Sequence, residues 1–257
     1  MIKEVPLHVK ELELMKKYPK ELFYKGNLEL LQRTKVSIVG SRKPNQYARD
    51  LTHKLSCGLS QVGVVVVSGG AIGIDAIAHK GAGVGNTIMV SGVGLDRYYP
   101  STNKSLIQDI EKNGLVLSQF RADTPSFRYN FPLRNELIVA LGEVLLVMYA
   151  DENSGTQRSI EFAKKMGKEI YVLPHRLGQS GATNRLLENG EAKAIYDIDK
   201  FIKKFGNVEK KQYDAFLEFC KTNPSYDEAI SKYGDKVFEY ELLGKIVIKN
   251  SKIFVEL

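Results

Sequence analysis

The apolar residues of this chain fall into short runs separated by amphipathic stretches. The runs lie at 36–40, 64–67, 87–90, 115–117, 144–149 and 169–173. They are too short for helices, rich in Val, Ile and Leu, and lack a polar alternate face, the pattern of strands buried on both sides. Between them, 48–59, 72–79, 106–112, 134–141 and 160–166 place apolar residues at helical spacing. Strand and helix in alternation predict βαβ units and an open, doubly wound, mostly parallel sheet of Rossmann-like α/β type over residues 35–205.

The flanks read differently. Residues 11–31 suggest two short helices broken at Pro19, so 1–34 is expected to be a small helical extension. Residues 201–210 read as a charged connector. In the tail, 206–257, three short helices (213–220, 226–233, 236–243) precede a hairpin of 245–249 and 252–256 around Asn250-Ser251. That order matches a winged helix, while the near-neutral charge of the tail suits a small cap packed on the main domain.

Length and charge narrow the class. The chain has 257 residues and a net charge of +7; residues 208–257 carry −1, which leaves +8 on the first 207. A polyanionic partner is expected on the larger, N-terminal part. No apolar run reaches the ~20 residues of a membrane span, and the first twenty residues lack the apolar core of a signal peptide. A cytoplasmic protein with no membrane partner is expected. Cys57 and Cys220 offer no disulfide framework.

In a doubly wound sheet, ligands sit beyond the carboxyl ends of the strands, where helix N-termini present unpaired amides to anions. After the first run comes Gly40-Ser41-Arg42-Lys43-Pro44: a glycine for close approach, a hydroxyl, and a guanidinium that forks onto phosphate. After the second comes Ser68-Gly69-Gly70, which opens a helix as an anion cradle. After the fifth, Ser154-Gly155-Thr156 opens another. Residues 119–135 interleave Phe120, Phe127, Tyr129 and Phe131 with Arg121, Arg128 and Arg134, a mixture suited to single-stranded nucleic acid, whose bases are free to stack.

Absences are informative too. There is no G-x-x-x-x-G-K-[ST] and no G-x-G-x-x-G after the first run, which argues against a P-loop ATPase and against NAD. The four histidines are scattered without metal-ligand spacing, so no metal and no cofactor is expected. Asp75 and His79, four apart on a predicted helix, are expected to share one of its faces.

With these residues in view the chain resembles the DprA/Smf family, the DNA-processing proteins of bacterial natural transformation. The resemblance rests on IVGSRKP (38–44), VSGGAIGIDAIAH (67–79), GLDRYYPSTN (94–103), FPLRNELIVAL (131–141), SGTQRSIEFA (154–163) and SGATNRLLENGEA (180–192). It implies an extended Rossmann fold that binds single-stranded DNA without catalysis, forms homodimers, shields incoming DNA and loads RecA recombinase onto it. By position it implies phosphate-gripping roles for Arg42 and Arg128. It implies a shared pocket lined by Gly40, Ser41, Ser68, Gly69 and Gly70, and an F-P-x-R-N motif supplying Phe131, Arg134 and Asn135. The chain departs from the family pattern at Glu136, where Arg is usual, at Ser101, where many members have Lys, and at 154–159, where S-G-T-Q-R-S stands for the usual S-G-S-L-x-T-A. Two other functions compete with this one. One is a Rossmann-type phosphoribohydrolase acting on a nucleoside monophosphate, and the other is a pure interaction scaffold.

Overall fold

The computed structural model describes residues 1–152, 154–207, 215–242 and 244–255. They fall into two compact units, Met1–Val208 and Glu209–Leu257.

The first unit is built on a nine-stranded sheet. In chain order its strands are β1 (Lys3–Glu4), β2 (Phe23–Gly26), β3 (Lys35–Val39), β4 (Val65–Ser68), β5 (Thr87–Val90), β6 (Leu115–Ser118), β7 (Leu145–Val147), β8 (Ile170–Val172) and β9 (Lys193–Ala194). Their order across the sheet is β1-β2-β6-β5-β4-β3-β7-β8-β9. From β6 to β9 every pairing is parallel, whereas β2 runs antiparallel to β6 and β1 antiparallel to β2. The chain winds outward from β3 to β6, then returns to place β7 on the other side of β3. The β3/β7 junction is therefore the topological switch point, where a crevice opens beyond the strand ends.

Seven helices cover the sheet: α1 (Gln46–Gln61), α2 (Ile74–Ala82), α3 (Lys104–Asn113), α4 (Asn130–Leu141), α5 (Thr156–Lys165), α6 (Gly181–Glu188) and α7 (Ile198–Ile202). Alternate strand residues feed opposite faces. Val39, Val65, Val67, Leu145 and Val147 pack with α4, α5 and the N-terminal segment. Val36, Ile38, Val64, Val66, Leu146 and Met148 pack with α1, α2 and α7. Both faces are covered, as all-apolar parallel strands require.

The N-terminal flank and the connector differ from expectation. The first 34 residues are not a helical extension: they hold β1, β2 and two 3-10 turns, Lys10–Leu14 and Leu28–Gln32, and extend the main sheet by its antiparallel edge. The reason is that Val9, Leu12, Leu30 and Leu31 are buried against the sheet, and this packing outweighs local helix preference. Residues 201–202 are not connector. Phe201 and Ile202 end α7 and are core residues. The rest of that stretch from 208 lies outside the described residues, as do 213, 214, 243 and 256 of the predicted tail elements.

The second unit comprises α8 (Ala215–Cys220), α9 (Tyr226–Tyr233), α10 (Lys236–Leu242) and the hairpin of β10 (Ile246–Lys249) with β11 (Lys252–Val255). Its core contains Phe216, Ala229, Val237, Ile246 and Ile253. Three helices and a hairpin keep the element order of a winged helix.

Candidate nucleic-acid interface

A cavity of about 620 Å³ opens at the switch point. Its walls are the turn after β3 (Gly40 to Lys43), the start of α4 (Phe131, Pro132, Arg134, Asn135) and the turn after β7 with the first residues of α5 (Asp151, Ser154 to Thr156, Arg158, Ser159). Val39 and Ile138 give it an apolar floor. A smaller cavity of about 240 Å³ adjoins it, lined by Gly69, Ile72, Gly92, Tyr99 and Thr102 and sharing Arg42, Ala71, Phe131 and Arg134. Those four shared residues join the two cavities into one groove.

The β3 turn is held rigidly. The Ser41 amide donates to the Tyr149 carbonyl (2.8 Å), the Ile74 amide to the Ser41 carbonyl (3.2 Å), and the Lys43 amide to Ser41 Oγ (3.0 Å). The turn lies directly on the start of α2. There Gly73 has φ +81°, and a Cβ would sit 2.5 Å from the Ser41 carbonyl oxygen, so only glycine fits. Gly73 is a site-building residue that the motifs alone do not reveal; a glycine just before a helix is its signal. With the backbone so fixed, Arg42 is exposed and aimed at both cavities.

The turn after β4 behaves differently from expectation. Its amide cradle is already filled, by the carboxylate of Asp75 from the protein itself. Asp75 accepts from the Ala71 amide at 3.4 Å. Burial pushes the Asp75 pKa up, and the Arg134 charge and the neighbouring polar groups of Ala71, Ser68 and Gly69 oppose the shift. Ser68 is fully buried, its hydroxyl donating to the Ile38 carbonyl at 2.6 Å, so it does not line the pocket. Gly70 is also buried, lines neither cavity, and has its carbonyl bound by Asn103. Only Gly69 of the three reaches the groove, in the smaller cavity.

Arg134 is the inner charge of the site. It is 5 % exposed, its Nη1 donates to the Val90 carbonyl at 3.0 Å, and its guanidinium lies 5.9 Å from the Phe131 ring centroid. Its Nε has no partner among the described residues. Burial pulls its pKa down while Asp75 supports the charged form. It grips the structure from within rather than reaching out from the surface. Phe131 also packs 5.2 Å from Tyr99, centroid to centroid. Asn135 lines the larger cavity.

Arg128 lines neither cavity; it stands exposed on the segment leading into α4. Its neighbours Phe127 and Tyr129, 45 % and 64 % exposed, stack on each other at 5.3 Å with planes 9° apart. Asn130 fixes this segment by donating to the carbonyls of Gly92 and Pro125. Arg121 points elsewhere, in a bidentate pair with Glu21. Glu136 accepts from the Lys16 amide at 2.8 Å and so ties down the N-terminal segment instead of adding charge to the groove. His79 is buried too, its Nδ1 2.7 Å from Thr87 Oγ1. Among the described residues no cluster of His, Cys, Asp and Glu could hold a metal, and no helix is long and apolar enough to cross a membrane.

The fold and groove define a Rossmann-type protein with a groove lined by Arg42, Lys43 and Arg134 at its switch point. The family described as DNA recombination-mediator protein A matches residues 3–206, and the chain belongs to that family. It is 38 % identical over 176 residues to the DNA processing protein DprA of Streptococcus pneumoniae, covering 67 % of this chain and 62 % of that one. To the DNA processing protein DprA of Bacillus subtilis it is 31 % identical over 215 residues, covering 82 % and 67 %. Several curated relatives are thus matched over only about half to two thirds of their own length. Among solved structures, DNA processing protein A of Helicobacter pylori, described for its single-stranded DNA binding mode, superposes with a TM-score of 0.78 at 39 % identity, covering 79 % of this chain and 95 % of that one. The Streptococcus pneumoniae DprA structure gives 0.73 at 33 % identity, covering 80 % and 74 %. These likenesses place the chain among proteins of DNA recombination and processing, with the Rossmann-like fold the sequence predicts.

Proposed function

We propose that this chain is a non-catalytic single-stranded DNA binder that acts as a recombination mediator in the cytoplasm. It shields an incoming strand and passes it to a RecA-type recombinase, working as a homodimer. The observation that carries the reading is the groove itself: Arg42 and Lys43 on one wall, Phe131 and the buried Arg134 on another, and a helix start without a side-chain cap on the third. Guanidinium groups supply phosphate contacts, while the exposed Phe127–Tyr129 pair beside Arg128 offers stacking faces that only unpaired bases can use. The likeness to the Helicobacter pylori protein supports the strand as ligand. Gly40, Ser41, Arg42, Gly69, Phe131, Arg134 and Asn135 form or support the groove, with Arg128 at its approach.

The competing hydrolase reading has little to work with, because Asp75 is engaged under Arg134 and Glu161 is paired with Arg158. Fluorescence anisotropy with oligo-dT and a matched duplex tests the proposal. Preference for the single strand, and weakening between roughly 50 and 200 mM salt, is the expected result. Equal affinity for both, indifference to salt, or release of adenine from AMP at enzymatic rates overturns it.

A further inference from the structure

The α5 wall of the groove carries hydroxyls that the fold leaves unused. Ser159 is 1 % exposed, yet its Oγ has no hydrogen-bond partner among the described residues. A serine inside a helix ordinarily bonds a carbonyl of the preceding turn, so an unpartnered buried hydroxyl calls for an explanation. Ser154 Oγ, in the turn before the helix, is likewise buried without a partner there. Both residues line the 620 Å³ cavity.

The helix that they flank, Thr156–Lys165, has ten residues, and its N-cap Gly155 provides no side chain for the first amides. The Gln157 amide donates to the Ser154 carbonyl at 3.1 Å, but no side chain caps the helix start, so its positive dipole end faces the cavity. From the α4 wall, Arg134, with its unpartnered Nε, lines the same space. Every one of these groups is able to donate, and the field is positive, a combination that selects an anion with several acceptor oxygens. Nearby charges agree on where that anion sits. Arg158 is paired with Glu161 and Glu152 with Arg185, so neither side chain competes. Asp151 is exposed at the outer end of the turn and disfavours an anion there, which leaves the inner position beside Ser159.

We propose that the N-terminus of α5, with Ser154 and Ser159, is a phosphoryl subsite that holds one phosphate of the bound strand independently of Arg42. The subsite rests on the single-strand reading and gives it a second anchoring point across the groove.

Three variants of the full chain test it: Ser159→Ala, Gly155→Asp and Arg42→Ala. Binding is read by anisotropy with oligo-dT carrying either a 5′-hydroxyl or a 5′-phosphate, and stability by thermal melting. Ser159→Ala removes a group with no partner among the described residues, so its Tm stays or rises while affinity falls about tenfold, the scale of one hydrogen bond to a charged group. Gly155→Asp is accommodated, since φ is −59° and a Cβ there meets nothing within 4 Å among the described residues. A carboxylate at a helix start stabilises the helix but occupies the anion's place, so stability and affinity move in opposite directions. A loss confined to the 5′-phosphorylated oligo assigns the subsite to a strand end; an equal loss with both assigns it to an internal phosphodiester, and either supports the proposal. If Arg42→Ala weakens binding while both α5 variants bind like wild type, the subsite is wrong and the single-strand reading survives. If the wild type binds neither oligo, both fall together.

Discussion

A Cβ added to Gly69 would lie 1.5 Å from Nη1 of Arg134 and 2.8 Å from Asp75 Oδ2. The missing side chain at residue 69 is thus the space in which the ends of two buried charged side chains are housed, and the glycine serves the guanidinium before it serves any ligand. Gly69→Ala is expected to displace the Arg134 guanidinium and weaken its bond to the Val90 carbonyl. The expected cost is about 1–3 kcal/mol of stability, as for other overpacked interiors, with weaker strand binding as the groove wall shifts. Urea unfolding with oligo-dT titration checks both. An alanine variant as stable as wild type contradicts the housing role.

Arg42 and Arg128 separate two kinds of phosphate contact. Arg42 lines both cavities, whereas Arg128 stands outside them on the approach to α4. Both are exposed, so neither alanine substitution should alter Tm. Arg42→Ala removes one charge-assisted hydrogen-bonding group and is expected to weaken oligo-dT binding about tenfold, even with an oligo short enough to fill only the groove. Arg128→Ala is expected to matter only for longer oligos. Each should lower the slope of log K against log salt by about 1. An oligo-length series at several salt concentrations separates the two.

The central strands are legible in the sequence because apolar runs such as 64–67 fit only a sheet interior, and the parallel sheet then locates the switch point. Strand β2 is not legible: Phe23–Gly26 is four residues ending in glycine, and it becomes a strand through pairing with β6. The β3 turn announces itself as a groove wall, with Arg42 at its tip, because glycine, hydroxyl and guanidinium stand together directly after an apolar run. The β4 turn is an anion cradle, as its paired glycines imply, but its anion is Asp75, six residues beyond Gly69, which only the folded geometry reveals. Arg134 shows the same limit, since an arginine in a polar motif reads as surface charge until packing buries it.

The stacked pair Phe127 and Tyr129 is exposed and makes no contribution to the core clusters. Replacing either by alanine should leave the unfolding midpoint unchanged. If a base stacks on the pair, each substitution should cost about 1–3 kcal/mol of strand binding with little change in salt slope, because no charge is removed. Leucine in place of Tyr129 keeps apolar area but loses the flat face, so it should bind like alanine. Full affinity in the double alanine variant would exclude the pair from the strand's path.

His79 contributes one identifiable part of the acid response of the fold. The Thr87 hydroxyl donates its one proton to the Val66 carbonyl at 2.7 Å, so toward His79 it accepts, and Nδ1 carries the imidazole proton. Nε2 is then a bare nitrogen, buried without a partner among the described residues. A second proton would have to sit there with no acceptor. Burial, reinforced by the charge of Arg134, lowers the pKa from 6.5 to about 3. Between those values the unfolded chain binds a proton that the folded chain refuses, so this group makes stability rise with pH across the window and fall as pH drops from about 6.5 toward 3. Asp75, whose pKa is raised by burial, works in the opposite sense, so the wild-type profile mixes the two. The difference between wild type and His79→Leu isolates the histidine. Urea midpoints measured from roughly pH 7.5 to 4.5, a range that brackets the unfolded-state value, should show the wild type losing stability relative to the variant as pH falls. A constant difference across that range would mean that His79 titrates normally in the folded protein.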